Sequence, residues 1–214
     1  RWRRLPKAGV GDVVVCSDNG FALAGGTVQD GFDDDFYLIK TDNGGNITWR
    51  RYYGDAGDQE GYALAQTSDG GYIMTGDCFS GGIGCGGTGS ILVIKTNSSG
   101  VIGGGAGWVM LFTGGASRGR AIRQTADGGY IVTGYCAGSL GGSSDIFLLK
   151  LSSAGAITWQ RVFGGAAVDI GYDVQQTDDD GDGTQNDGYI IAGATTSAGA
   201  GNYDYVLIKT TSLG

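Results

Sequence analysis

Histidine is absent from the 214 residues, and proline occurs once. Without histidine the commonest general base and the commonest zinc ligand are missing. Four cysteines are present but no Cys-x-x-Cys pair, so a structural zinc site is not expected. The even count is compatible with disulfides in an oxidising compartment. Basic residues are the minority: 14 Lys and Arg against 22 Asp and Glu, for a net charge of −8. A nucleic-acid partner is therefore not expected, since a phosphate backbone demands a basic face. No apolar run reaches the roughly 20 residues of a membrane-spanning helix, so no membrane insertion is expected. The first residue is not Met, and Arg1 reads as a processed or excised start, which fits secretion as well as any other origin.

What the chain has in excess is glycine, 45 residues, with no strict Gly-X-Y period. That excludes collagen, and the glycines fall at turns between short apolar runs. A hydrophobic content of 41% is that of a folded domain.

The runs repeat. Gly61-Tyr-Ala-Leu-Ala-Gln-Thr67, a turn, Tyr72-Ile-Met-Thr-Gly76, a Gly-rich loop, Ile91-Leu-Val-Ile-Lys-Thr96 and Trp108 form one unit. The order returns with Ala121–Thr125, Tyr130–Gly134, Asp145–Lys150 and Trp159, and again with Gly171–Thr177, Tyr189–Gly193 and Asp204–Thr210. A looser copy runs from Val13 through Phe21–Gly25 and Asp35–Lys40 to Trp49. Lys40, Lys95, Lys150 and Lys209 mark steps of 55, 55 and 59 residues. A fixed period of this size signals a repeat architecture.

Each repeat reads as four strands of 5–7 residues, a to d, between Gly/Asp/Asn/Ser clusters, and no helical period is sustained. The a–b link, Ser68-Asp-Gly-Gly71, and the c–d link, Asp42-Asn-Gly-Gly-Asn46, read as hairpin turns. The b–c links are long and variable. Four antiparallel strands per unit describe propeller blades. The expected fold is one all-β domain, a β-propeller of four blades at about 10–53, 60–112, 118–163 and 170–210. Arg1-Trp-Arg-Arg4 aligns with Thr48-Trp-Arg-Arg51, so Arg1–Leu5 is expected to pair in the last blade as its fourth strand, removing two raw sheet edges. A piece of a longer array, closed elsewhere, is the competing reading.

The order "Tyr-Ile-x-x-Gly, loop, Asp-x-x-Leu-Ile-Lys-Thr-Asp-x-x-Gly-x-Ile-x-Trp" resembles kelch-type blades in layout. It is still more similar to secreted bacterial and archaeal propeller repeats written Asp-Gly-Gly-Tyr-Ile-x-x-Gly. The resemblance covers essentially the whole chain and implies fold and secretion, with no activity or catalytic residue. Thr41–Trp49 also resembles the Asp-box hairpin of sialidases, off by one in spacing. That box is a structural turn and implies no glycosidase chemistry.

The sharpest candidate site is Asp178-Asp-Asp180-Gly-Asp182-Gly-Thr184-Gln-Asn186. Ca²⁺ wants six to eight oxygens, which alternate loop positions supply around a Gly turn. Asp178, Asp180, Asp182, Thr184, Asn186 and Asp187 are the candidate ligands of a structural Ca²⁺. The loop resembles the Asp-x-Asp-x-Asp-Gly hairpins of calcium-binding propeller blades, and the alternative is a solvated acidic turn. Asp30, Asp33, Asp34 and Asp35 fit no ligand template. Cys78–Cys85 is the preferred disulfide, since a Gly-rich loop gains from a local staple, with Cys78–Cys136 its rival. Cys16 reads as a small buried residue. One Trp per repeat, with Tyr72, Tyr130 and Tyr189, reads as packing between blades, and the repeated lysines as partners of acidic turns.

The expected function is a non-catalytic extracellular module for binding or surface display, secreted or cell-surface, with a polysaccharide or surface glycan as partner. Variable loops on a rigid scaffold are where binding lives. Asp33, Asp34, Asp58, Glu60, Arg118, Arg120 and Asp169 line the expected ligand face. The alternatives are a self-associating filament or coat subunit, and a glycan-active hydrolase or lyase, for which Asp58, Glu60 and Asp169 are the candidate acids.

Overall fold

The computed structural model describes residues 8–28, 34–54, 57–79, 89–103, 107–112, 115–137, 140, 143–184, 186–199 and 201–214. Among these there are fifteen strands and no helix. The first sheet holds β1 (Ala8–Val15), β2 (Phe21–Val28), β3 (Asp34–Thr41) and β4 (Ile47–Tyr53). The second holds β5 (Gln59–Gln66), β6 (Tyr72–Cys78), β7 (Ser90–Thr96) and β8 (Trp108–Phe112), and the third β9 (Arg118–Gln124), β10 (Tyr130–Ala137), β11 (Ser144–Leu151) and β12 (Ile157–Phe163). The fourth has three strands, β13 (Asp169–Thr177), β14 (Gly188–Thr195) and β15 (Asp204–Thr211). In every sheet neighbours in space are neighbours in sequence, and all pairings are antiparallel. The expected closing strand, Arg1–Leu5, lies outside the described residues.

The repeated residues earn their places locally. In the a–b turn of the second sheet Gly70 takes φ of +78°, as Gly128 does in the third. Asp69 then accepts from the Gly71 amide and from the Lys95 ammonium, 2.8 Å away. Lys150–Asp127 at 2.8 Å and Lys40–Asp18 at 2.7 Å repeat the clamp, and Lys209 finds Asp179 in the longer fourth turn. Each lysine also donates to the backbone carbonyl of the residue after it. The clamp explains why a glycine precedes the tyrosine: a Cβ at Gly71 would sit 2.1 Å from the Thr96 oxygen and 2.7 Å from the Lys95 nitrogen. Gly71→Ala is expected to lower stability by about 1–3 kcal/mol, as overpacking does. Gly71 is not left-handed, so the clash alone is at issue, and alanine at Gly9, where nothing lies within 4 Å and φ is not positive, is the matched control. Equal urea midpoints for wild type and Gly71→Ala would contradict the clamp.

The sheets pack in sequence order through alternate residues. Phe36 and Leu38 of β3 meet Leu92 and Ile94 of β7 in the first core. Ile91 and Val93, from the other face of β7, meet Phe147 and Leu149 of β11 in the second. Ile146 and Leu148 meet Val206 and Ile208 of β15 in the third. This is why strand c is an unbroken apolar run: both faces are interior. At roughly 1.5–3 kcal/mol per buried aliphatic or aromatic side chain, these cores dominate the folding energy.

Tryptophan finishes each junction. Trp49, Trp108 and Trp159 stand edge-on to Tyr72, Tyr130 and Tyr189 of the following sheet, with ring centroids 5.7 Å apart. Each also lies over a turn glycine of that sheet, Gly100, Gly155 or Gly214. The tryptophans thus pack between sheets, as their once-per-repeat spacing leads one to expect.

The two ends of the row differ from its middle. Tyr205 and Leu207 of β15 occupy the positions of Ile91 and Val93, which are fully buried, yet they are 101% and 69% exposed. On the first sheet Val13 and Val15 are exposed, whereas Leu64 and Ile122, equivalent to Val13, are buried; Tyr37 and Ile39 of β3 are buried nonetheless. Among the described residues, three buried cores join the four sheets, and none joins the fourth to the first.

Candidate ligand-binding face

A register shift recurs in the first strand of every sheet. Val10 and Asp12 pair with consecutive residues of β2, leaving Gly11 as an extra residue. In the same way Tyr62 is extra between Gly61 and Ala63, Arg120 between Gly119 and Ala121, and Tyr172 between Gly171 and Asp173. A β-bulge of this kind re-aims the side chain it carries, and bulges are common beside binding sites. Tyr62, Arg120 and Tyr172 are therefore equivalent residues on three adjacent sheets, and they converge.

Arg120 is the centre of the cluster. Its guanidinium carbon lies 5.2 Å from the Tyr62 ring centroid, 5.8 Å from that of Tyr135 on β10 and 5.8 Å from that of Tyr172. Tyr172 is half exposed. Among the described residues Arg120 forms no ion pair, and its Nε is buried without a hydrogen-bond partner.

Its neighbour Arg118 is engaged. The Arg118 Nε lies 2.5 Å from Oδ2 of Asp77, a fully buried carboxylate, and the guanidinium stacks over Tyr62 and Phe79 at 4.9 and 5.5 Å. The Tyr62 hydroxyl donates to Glu60 and stands 3.5 Å from Asp77. Burial raises the Tyr62 pKa, and the hydrogen bond to Glu60 and the Asp77 charge add to it. Burial likewise pushes Asp77 up to about 6 against the pull of Arg118, with Glu60 adding to the rise.

A raised carboxyl pKa means the folded form holds its proton more tightly than the unfolded one. Asp77 therefore favours the fold fully below about pH 4, and that contribution is lost as pH rises through about 6. Asp77→Asn is expected to flatten the stability profile between pH 4 and 6, removing a change of up to about 3 kcal/mol. An unchanged slope in urea titrations across that window would contradict the assignment.

An acidic flank borders the arginines. The Asp34 amide donates to Asp58 at 3.2 Å, and the Asp34 carboxyl is raised by burial and then by the charges of Asp58 and Glu60. Of the residues expected on the ligand face, the structure thus brings Asp34 and Asp58 together beside Glu60, which reaches Arg118 through Tyr62 and Asp77. Asp33 lies outside the described residues. Asp169 is turned inward: it is buried and accepts from the Gly165 amide at 2.9 Å and the Ser197 hydroxyl at 2.7 Å, holding the loop before β13. Arg123, beside this group in sequence, pairs with Asp173 of the next sheet at 2.9 Å.

Tyr62, Asp77, Tyr135 and Tyr172 were not legible as site residues from the sequence. One signal was available. Gly61, Gly119 and Gly171 each stand inside a strand just before the bulged position, and an isolated glycine in a strand marks a bulge.

In the fourth a–b turn, carboxylate oxygens of Asp178, Asp180 and Asp187 lie within 4.8 Å of one another. Asp187 also accepts the Asp180 amide at 3.1 Å, and Asp178 the amides of Gly181 and Gly183 at 2.8 and 2.9 Å. Asp182 is not in the group: it accepts from the amide of Thr184 at 2.7 Å and from its hydroxyl, which hold its carboxyl below the usual range. The Thr184 carbonyl accepts the Asn186 amide at 2.9 Å.

Cys78 is buried in the core between the first and second sheets, and Cys136 in that between the second and third. Cys85, the expected partner of Cys78, lies outside the described residues. Cys16 is buried as expected, and burial raises its pKa. Open clefts beside Trp49–Tyr72 and Trp108–Tyr130 are lined by equivalent residues, so they belong to the repeat rather than to one site. The chain matches no protein-family model and no curated protein.

Proposed function

We propose that this chain is a non-catalytic extracellular module that binds polar glycans through the bulge-built face around Arg120. The observation that carries the reading is the convergence of Tyr62, Arg120 and Tyr172 from equivalent bulges on three sheets. Aromatic rings with polar edges, a free guanidinium and nearby carboxylates form the donor, acceptor and stacking set that sugars require. The four sheets are blades of a propeller, and Arg1–Leu5 pairs with β15 to complete the fourth. Cys78–Cys85 staples the long loop of the second blade, and Ca²⁺ binds the fourth a–b turn with a structural role. The module is secreted or held at the cell surface.

A glycan array probed with and without Ca²⁺ tests the binding reading; no hit in either condition would reject it. Non-reducing peptide mapping tests the disulfide. A second reading, a coat or filament subunit, is favoured by the exposed Tyr205 and Leu207, which match buried interface positions elsewhere. Concentration-dependent assembly in light scattering would select it.

A further inference from the structure

We infer that the ligand is a carboxylated glycan of the uronic-acid type, and that Arg120 is the residue that reads its carboxylate. This rests on the binding role proposed above and narrows it to one chemical class. The first ground is the state of the cations. Arg118 is paired with Asp77, Arg123 with Asp173, and Lys40, Lys95, Lys150 and Lys209 with turn aspartates. Among the described residues Arg50, Arg51 and Arg161 also form no ion pair, but Arg51 and Arg161 each lie over one tryptophan and donate to backbone carbonyls. Arg120 is held differently, by three tyrosine rings within 6 Å. Ring contacts act on the charge of a guanidinium and leave its in-plane N–H donors uncommitted. A planar, always-charged fork with unused donors is built to take a carboxylate through two parallel hydrogen bonds.

The second ground is position. Successive bulges hold Gly11, Tyr62, Arg120 and Tyr172, so the one cation of the series stands between two tyrosines. Its lack of a protein carboxylate is not for want of neighbours: Glu60 and Asp77 are close by but engaged with Tyr62 and Arg118. Tyr172, half exposed beside Arg120, offers a ring face for the apolar side of a sugar and a hydroxyl for its edge. The acidic flank of Asp34, Asp58 and Glu60 sets the charge limit. It repels a doubly charged phosphate more than a singly charged carboxylate, and it can accept hydrogen bonds from sugar hydroxyls.

The test uses the whole chain and a defined probe, an oligogalacturonate, against its fully methyl-esterified form, by calorimetry with and without Ca²⁺. The acid form is expected to bind and the ester to bind at least about tenfold more weakly, since a charge-assisted pair exceeds 1.4 kcal/mol. Affinity for the acid should fall as salt is raised. Arg120→Gln should abolish the preference for the acid, and Arg120→Lys should restore it in part. If Arg120→Gln does not fold, Tyr172→Ala, at a half-exposed side chain, is expected to weaken the acid form with the protein still folded at the assay temperature. Equal binding of acid and ester, or neutral glycans on the array that bind Arg120→Gln as well as wild type, would overturn this inference and leave the glycan-binding role standing. Binding of acidic peptides without any glycan would overturn both.

Discussion

Asp69→Ala is expected to destabilise the protein by about 3 kcal/mol, the low end of the cost of stranding a buried charge. The pair is asymmetric. The Lys95 side chain is 3% exposed, while that of Asp69 is 52% exposed. Removing the aspartate leaves an ammonium inside the sheet with only a backbone carbonyl to face, and the half-exposed partner places the effect at the low end. Replacing both residues, Asp69→Ala with Lys95→Met, should recover most of the loss, because an apolar residue of similar volume needs no counter-charge. Asp127 and Lys150 repeat the geometry and should repeat the result. Burial works against the charged form of Asp69 and Asp127, but the lysine, the threonine hydroxyl and the glycine amide outweigh it and hold both at about 2. The sign follows: a depressed carboxyl pKa gives stability that is present above about pH 4 and lost as pH falls through about 2. Acid titrations of the two alanine variants should show a shallower loss in that window. A double variant no more stable than Asp69→Ala would reject the clamp.

The second large effect concerns the fourth a–b turn. With Asp178, Asp180 and Asp187 converging, three carboxylates repel one another unless a cation sits between them. A ligand held only by the folded state stabilises by roughly 2.7 kcal/mol at a hundredfold excess over Kd. For a chain of this size that is about 5–10 °C in melting temperature. Ca²⁺ should raise the melting point, chelation should reverse the rise, and Mg²⁺ should act poorly because it demands stricter octahedral geometry. The geometry also sorts the candidate ligands. Asp180→Asn with Asp187→Asn should abolish the response, while Asp182→Asn, whose carboxylate is spent on Thr184, should leave most of it. A melting curve indifferent to Ca²⁺ would make the acidic run a solvated turn.

The sequence displayed whatever the repeat forces to recur. Lys95, Asp69, Tyr72 and Trp108 have counterparts one period away, so their structural roles could be read by comparing copies within one chain. Strand number and order followed from turn chemistry, as at Ser68–Gly71 and Asp42–Asn46. What could not be read was anything set by the small differences between copies. Tyr62, Arg120 and Tyr172 look unrelated as residues, and only the bulges make them equivalent and face them inward on one another. Asp77 became a site residue because Arg118 of the next sheet reaches it, a contact fixed by packing between repeats rather than by pattern within one. In the fourth a–b turn, acidic spacing suggested Asp178, Asp180, Asp182 and Asp187 together, whereas the structure groups Asp178, Asp180 and Asp187 and ties Asp182 to Thr184 instead.

The exposed face of β15 has a mechanical meaning. Sheets that touch only their neighbours behave as a chain of couplings, and such a structure yields where a coupling is missing. β6 and β7 are buried along their whole length, so their amides should exchange with solvent only through the largest openings. β15 alternates between half-buried and exposed, and Tyr205 projects fully into solvent. Among the described residues the fourth sheet is joined by a core on one side only, so opening is expected to begin at β13–β15 and travel inward one sheet at a time, with Arg1–Leu5, proposed to pair with β15, as the brace that opposes it. The Arg120 cage draws Tyr172 from that same fourth sheet, so the proposed ligand would grip across the junction expected to loosen first. A bound glycan would act as a brace there, and its affinity would report how firmly the last sheet is seated.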